Sequence, residues 1–162
     1  MTASSENHNG GARIVKAKPE NIPAIRNMVN AAYTKYIDRI GKPPAPMNAD
    51  YEELMQDHEI YVLETDQDQA VVGSIVLGID KETDSVKINN LVVDPNSQGR
   101  GYGRILMNFA QEFAKSGGFP ALTLFTNVKM YENLSLYPKM GFVETERRTE
   151  AGYERVYFRK DL

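Results

Sequence analysis

The sequence predicts a single α/β domain: a mixed, mostly antiparallel sheet of seven strands flanked by helices. Three observations predict it. Apolar residues recur at helical spacing in two stretches, Ile25 to Ile40 and Ile105 to Ala114. Around them lie short runs rich in Val, Ile and Leu, separated by turn-forming residues. The chain of 162 residues suits one hydrophobic core and is short for two, and no repeat or linker divides it.

The elements follow in order. Residues 1–11 (MTASSENHNGG) are small and polar and end on the breaker Asn9-Gly10-Gly11, so a flexible lead-in is expected, with the domain at 12–162. Ala12 to Ala17 is a strand. Ile25, Met28, Val29, Ala32, Tyr33, Tyr36, Ile37 and Ile40 make residues 22–40 helical, in one or two pieces, ended by Gly41-Lys42-Pro43-Pro44. Asn48 is placed to cap a short helix running to Leu54. Ile60–Glu64, Ala70–Ile79 and Ser85–Val93 read as an antiparallel meander. Residues 103–115 are an amphipathic helix stopped by Ser116-Gly117-Gly118. Ala121–Thr126 is a strand, 129–137 a short helix, and Gly141–Arg147 with Tyr153–Lys160 a closing β pair. The Glu144–Glu150 charge run reads as a solvated strand and turn.

Composition narrows the chemistry. With no cysteine there is no disulfide framework, thiolate metal site or cysteine nucleophile. His8 and His58 are the only histidines and the first lies in the lead-in, so no metal is expected. A net charge of −3 and a pI of 5.5 give no reason to invoke nucleic acid. No apolar run reaches membrane-spanning length and the N-terminus lacks a signal core, so the expected setting is a reducing cytoplasm with no membrane partner.

The most informative segment is Val92-Val93-Asp94-Pro95-Asn96-Ser97-Gln98-Gly99-Arg100-Gly101-Tyr102-Gly103-Arg104. An apolar strand ends, three alternate glycines follow, and an amphipathic helix begins. Glycines remove the Cβ atoms that would keep a phosphate from backbone N–H groups. The start of a helix adds unpaired donors and the positive end of its dipole. Arg100 and Arg104 add fixed positive charge. Position 104 is Arg where a dinucleotide fingerprint needs glycine, and no Gly-Lys-Ser/Thr follows, so neither common nucleotide loop fits. The segment reads as a pyrophosphate cradle.

Gln98-Gly99-Arg100-Gly101-Tyr102-Gly103 resembles the Q/R-x-x-G-x-G/A signature of the GNAT superfamily of N-acetyltransferases, and its place after Leu91-Val92-Val93-Asp94-Pro95 fits too. Leu136-Tyr137-Pro138-Lys139-Met140-Gly141-Phe142 is similar to that family's second motif, LY-x-x-x-GF. The resemblance implies acetyl-CoA as donor. It implies that the backbone of Leu91, Val92 and Val93 pairs with the pantetheine arm, and that this strand splays from Leu122–Thr126 to leave a V-shaped cleft. It also implies that amides of Gln98, Gly99, Arg100, Gly101, Tyr102, Gly103 and Arg104 hold the pyrophosphate, with Asn133 and Tyr137 facing the arm and the sulfur. Met130 stands where many relatives carry an Asn, so Asn133 is expected to serve instead. Relatives often dimerise through late strands, which would involve Tyr153–Lys160.

The implied activity is acetyl transfer from acetyl-CoA to a primary amine of a small molecule or peptide, by direct attack. A primary amine with an ordinary pKa of ~10.4 must lose a proton first, and a tyrosine near ~10 keeps its proton at neutral pH. Tyr137 is thus the expected acid for the leaving thiolate, and a backbone donor near Val92 or Val93 is placed for the oxyanion. Many relatives carry a glutamate on the strand that here bears Asn89 and Asn90, and an amide is no base. The base stays open among Asp94, Glu82, a water relay, or none, which keeps alive a non-catalytic CoA-binding sensor. Pro138 is expected to end or kink the helix beside Tyr137. Tyr33, Tyr36, Pro43, Pro46, Met47 and Tyr51 form the expected acceptor wall, and His58 reads as a surface residue.

Overall fold

The computed structural model describes residues 8–9 and 11–162. Most of the expected lead-in lies outside them. His8–Asn9 form a two-residue strand, β1, paired antiparallel with Arg13 and Ala12 at the start of β2 (Ala12–Lys16). Helices α1 (Ile22–Tyr33), α2 (Tyr36–Ile40) and α3 (Tyr51–Asp57) follow. Then come β3 (Glu59–Thr65), β4 (Val71–Asp80), β5 (Ser85–Val93), α4 (Tyr102–Ser116), β6 (Ala121–Asn127), α5 (Tyr131–Lys139), β7 (Val143–Glu150) and β8 (Tyr153–Asp161). The predicted single α/β domain is thus present, its seven strands joined by the short β1, in the sheet order β1-β2-β3-β4-β5-β6-β8-β7. Among the described residues only β5 and β6 run parallel, joined across a sheet face by α4.

Local chemistry sets the element ends. Helix α1 carries a proline in its first turn, where the missing N–H costs nothing, and α2 stops at Gly41 with φ +92°. The cap of α3 is Asp50 and not Asn48: the Asp50 carboxylate accepts the Glu53 amide at 3.1 Å. Asn48 closes a 3₁₀ turn, Ala45–Asn48, that the preceding prolines initiate. Pro138 is the penultimate residue of α5 and ends it, as expected.

Strand alternation splits the core into two layers. Tyr61, Leu63, Ile75 and Leu77 face Leu106, Phe109 and Ala110 of α4. Ile60, Val62, Val76 and Val92 face Ile25, Met28, Val29 and Tyr51 on the α1–α3 side. Burial on both faces explains why the central strands read as near-continuous apolar runs. By contrast, β7 is an edge strand exposed at nearly every position, and its charges discourage edge-to-edge pairing. Strand β8 lies between β6 and β7 with both edges paired, so Tyr153–Lys160 has no free edge to offer a second copy.

Two departures from regular pairing build the site. The β5–β6 ladder holds Val86↔Leu122, Lys87↔Thr123 and Ile88↔Leu124 and goes no further, although β5 runs on to Val93 and β6 to Asn127. The sheet splits there into a V. At the same level the β4–β5 register slips: Leu77 faces Ile88 but Val76 faces Asn90, which leaves Asn89 as a bulge.

Candidate active site

The bulge changes which side chains face which way. Val86 and Ile88 point to the α4 layer, and so do Leu91 and Val93. A strict two-residue period cannot join these pairs, so the extra residue at Asn89 absorbs the slip. As a result Asn89 and Asn90 both line one cavity of about 480 Å³ on the α1–α3 side. Ile88 and Leu91 of β5 also border it, with Leu124 to Asn127 of β6, Met130, Asn133 and Tyr137 at α5, and Tyr153 and Arg155 of β8. The cavity therefore opens at the split between β5 and β6.

Tyr137 lines this cavity from α5. Its ring packs against Phe142 and Phe158, each at 5.7 Å between centroids, which fixes its direction. Among the described residues its hydroxyl has no hydrogen-bond partner. Burial, with a smaller push from neighbouring Tyr36, raises its pKa to about 12. It therefore keeps its proton well beyond neutral pH.

Asn90 is 8% exposed and fully engaged. Its Oδ1 accepts the Tyr33 hydroxyl at 3.2 Å, and its Nδ2 donates to the Tyr51 hydroxyl at 3.2 Å. The Tyr51 hydroxyl donates onward to the Pro46 carbonyl at 3.1 Å. Burial pushes both phenols up, Tyr51 to about 12 and Tyr33 further. This chain of bonds joins α1, β5, α3 and the proline loop. The sequence carried a signal for it: an amide inside an apolar strand has to find partners.

The other expected residues divide by position. Asn133 does line the cavity, with its Nδ2 donating to the Thr126 hydroxyl at 3.1 Å beside buried Met130. Of the expected acceptor wall, Tyr33 and Pro46 reach the cavity, whereas Tyr36 and Tyr51 are buried. His58 corrects the expectation of a surface residue: it is half-buried and lines the cavity, its Nδ1 2.6 Å from an Asp57 carboxylate oxygen. Asp94 is outside the cavity and spends its side chain on the Asn96 amide at 3.0 Å, and Glu82 borders a second, separate cavity. Asp50, Glu53 and Asp57, spaced along one face of α3, give the main cavity an acidic wall that periodicity in the sequence already contained.

The glycine segment lies at the N-terminus of α4, and none of residues 98–104 borders that cavity. Gly99 and Gly101 adopt φ of +83° and +79°, and a Cβ built on either meets nothing within 4 Å. The left-handed backbone and the open space above it fit a phosphate approaching the amides. Gln98, Arg100 and Arg104 are exposed around it. The Tyr102 side chain is core, 6% exposed among the α4 residues, so only its amide faces this loop. Leu91 and Val93 are half-buried and Val92 is buried. What β5 offers beyond Ile88 is its backbone, since its β6-facing edge has no strand partner there.

This arrangement agrees with known proteins. A mycothiol acetyltransferase from Jonesia denitrificans is 31% identical over 91 residues, 56% of this chain and 29% of that protein, so the match spans well under half of the relative's length. A peptidyl-lysine N-acetyltransferase, YjaB, from Salmonella typhimurium is 26% identical over 144 residues, 86% of this chain and 81% of the relative. The crystal structure of a GNAT family acetyltransferase from Elizabethkingia anophelis, with acetyl-CoA bound, shares the fold at a TM-score of 0.70 and 18% identity, covering 95% of this chain and 100% of that one. The model of the Acetyltransferase (GNAT) family matches residues 22–142, from α1 through the cradle and Tyr137 to the end of the α5 turn, and the chain belongs to that family.

Proposed function

We propose that the protein transfers an acetyl group from acetyl-CoA to a primary amine of a small molecule or peptide by direct attack. The observation that carries this reading is the end of β5–β6 pairing at Ile88 and Leu124, which leaves a strand edge on one side of the split and the Tyr137-lined cavity on the other. The cradle at Gln98 to Arg104 binds the pyrophosphate, and the free edge of Leu91 to Val93 takes the pantetheine arm as an added strand.

The acceptor occupies the cavity. Its acidic wall of Asp50, Glu53 and Asp57 favours a protonated amine on entry. The neutral amine attacks the thioester carbonyl, a β5 amide steadies the oxyanion, and Tyr137 protonates the leaving sulfur. The peptidyl-lysine activity named for the Salmonella relative supports a primary amine as acceptor.

The test is a calorimetric titration with acetyl-CoA, beside Gly101→Glu, which puts bulk and negative charge into the cradle. Saturable binding lost in the variant is expected, followed by amine-dependent release of free thiol. The thiol assay has no background from the protein, which contains no cysteine. Binding without amine-dependent thiol release would leave the sensor reading, and a folded protein with no affinity for acetyl-CoA would overturn both.

A further inference from the structure

The proposed reaction needs a proton acceptor, and the cavity narrows the choice. Asn89 and Asn90 are amides, and the Asp50 carboxylate caps α3. Buried phenols such as Tyr33 and Tyr137 hold their protons. Carboxylates such as Glu53 and Asp57 are ordinarily weak bases at neutral pH, whereas imidazole is the side chain best matched to accept a proton there.

Among the described residues His58 is the one imidazole at this site, and its surroundings suit a relay. It borders the main cavity and also a second, shallower one of about 440 Å³, lined by Gly78, Ile79, Asp80, Lys81, Glu82 and Lys87. It is thus part of the partition between the two. An ionised carboxylate can only accept, so in the 2.6 Å contact with Asp57 the Nδ1 N–H donates, and in the neutral ring Nε2 is then the nitrogen that can take a proton. The Nε2 edge of the ring lies over Gly78: a Cβ built there would be 2.9 Å from Cδ2 and 3.1 Å from Nε2. Glycine at this position of β4, with an ordinary φ, therefore has a packing reason, which is room for the ring.

We propose that His58, positioned by Asp57, takes the proton the acceptor amine must shed and passes it to the second cavity. This deepens the acetyltransferase reading and rests on it. The ammonium of the acceptor gives one proton to Nε2, directly or through one water. The neutral amine forms the C–N bond to give a tetrahedral intermediate, whose collapse breaks the C–S bond. Tyr137 supplies the thiolate proton and recovers one from the nitrogen of the collapsing intermediate. The imidazolium then releases its proton to solvent, so the net reaction yields amide, free thiol and one proton. Of the charged groups around it, Asp57 contacts the ring; Asp80, Lys81 and Glu82 at the β4–β5 turn and Lys87 on β5 line the second cavity with it, and Asp50, Glu53 and Arg155 line the main one.

The test compares kcat and KM against pH for the wild type, His58→Gln and Asp57→Asn, with a panel of primary amines as acceptors. His58→Gln should lose about 10²-fold in kcat at neutral pH, with the loss shrinking at high pH where the amine is already neutral, while binding acetyl-CoA as before. Asp57→Asn should lose less in kcat and show the same recovery at high pH. A folded His58→Gln enzyme with the wild-type profile and kcat would overturn this inference and leave the acetyltransferase reading intact. A wild type that binds acetyl-CoA and turns over no amine would overturn both.

Discussion

The Tyr33 hydroxyl, on α1, is 3.2 Å from Asn90 Oδ1 and 3.3 Å from the Leu91 carbonyl oxygen, on β5. One phenol thus ties a helix to the strand just past its bulge, where β5 has lost its β6 partner. Asn90 passes the tie on to Tyr51. Largely buried polar groups are costly to leave unpaired, so each bond of the set supports the others. The network holds the cavity wall in one shape.

Asn90→Ala is therefore expected to destabilise the protein by about 1–3 kcal/mol, since it removes one bond from each of two tyrosine hydroxyls, leaving Tyr33 only the Leu91 carbonyl and Tyr51 only the Pro46 carbonyl. Tyr33→Phe should cost less. Together they should cost less than the sum, with a coupling of about 0.5–3 kcal/mol, because both remove the same bond. Denaturant melts of the two single variants and the double variant measure this, and strict additivity would show that the bonds carry no shared energy.

Burial of the phenols predicts alkaline lability with a defined sign. A group whose pKa is raised on folding contributes stability that is intact below its unfolded value and is lost as pH rises through the folded one. For Tyr51 and Tyr137 that window runs from about 10 to about 12. Stability should be flat from neutrality to about pH 9 and then fall, with Tyr51 alone accounting for about 2–3 kcal/mol. Denaturation midpoints at stepped pH would check it. Tyr51→Phe should flatten the decline, and an unchanged slope would count against the assignment.

Much of the fold is legible in the sequence because helical and strand periods are local properties. Ser85–Val93 matches β5 residue for residue, and the stretch around 103–115 becomes α4 with one residue added at each end. The bulge at Asn89 is not local. It is a relation between β4 and β5, and Asn89 looks like any other strand residue until Leu77 and Val76 are seen to face Ile88 and Asn90. The true cap at Asp50 is hidden for a related reason, since Asn48 and Asp50 carry similar capping chemistry and the preceding prolines decide between them. His58 illustrates the same limit at the site. Its neighbours in sequence are polar, and only the fold places Gly78 beneath its ring.

Tyr137 offers a sharp kinetic test. Phenylalanine keeps the ring contacts with Phe142 and Phe158 and removes only the hydroxyl, which has no partner among the described residues. Tyr137→Phe should fold as well as the wild type and bind acetyl-CoA equally. Its kcat should fall by roughly 10²–10⁴-fold, the usual contribution of a positioned proton donor. An acceptor whose turnover is unaffected would show that the thiolate leaves without help from this residue.

The proline loop and the β7–β8 turn are joined over the cavity, and this join should govern acceptor binding. Lys42 Nζ donates to the Gly152 carbonyl at 2.8 Å and sits 4.1 Å from the centre of the Tyr153 ring. The Tyr153 hydroxyl donates back to the Pro43 carbonyl at 2.6 Å. Pro44 and Pro46 line the cavity from one side of the join and Tyr153 and Arg155 from the other, so releasing it lets two walls part. Lys42→Ala combined with Tyr153→Phe removes the ammonium and the phenol donor at exposed positions, where the stability cost is about 1 kcal/mol or less. The KM for the amine should rise several-fold while acetyl-CoA affinity holds, because no cradle residue borders this cavity. Gly152→Ala reaches the same end by crowding, since a Cβ there would lie 2.7 Å from Lys42 Nζ. Initial rates with each substrate varied in turn separate the two effects. Equal changes in both KM values would mean that the join supports the whole sheet and has no particular hold on the acceptor.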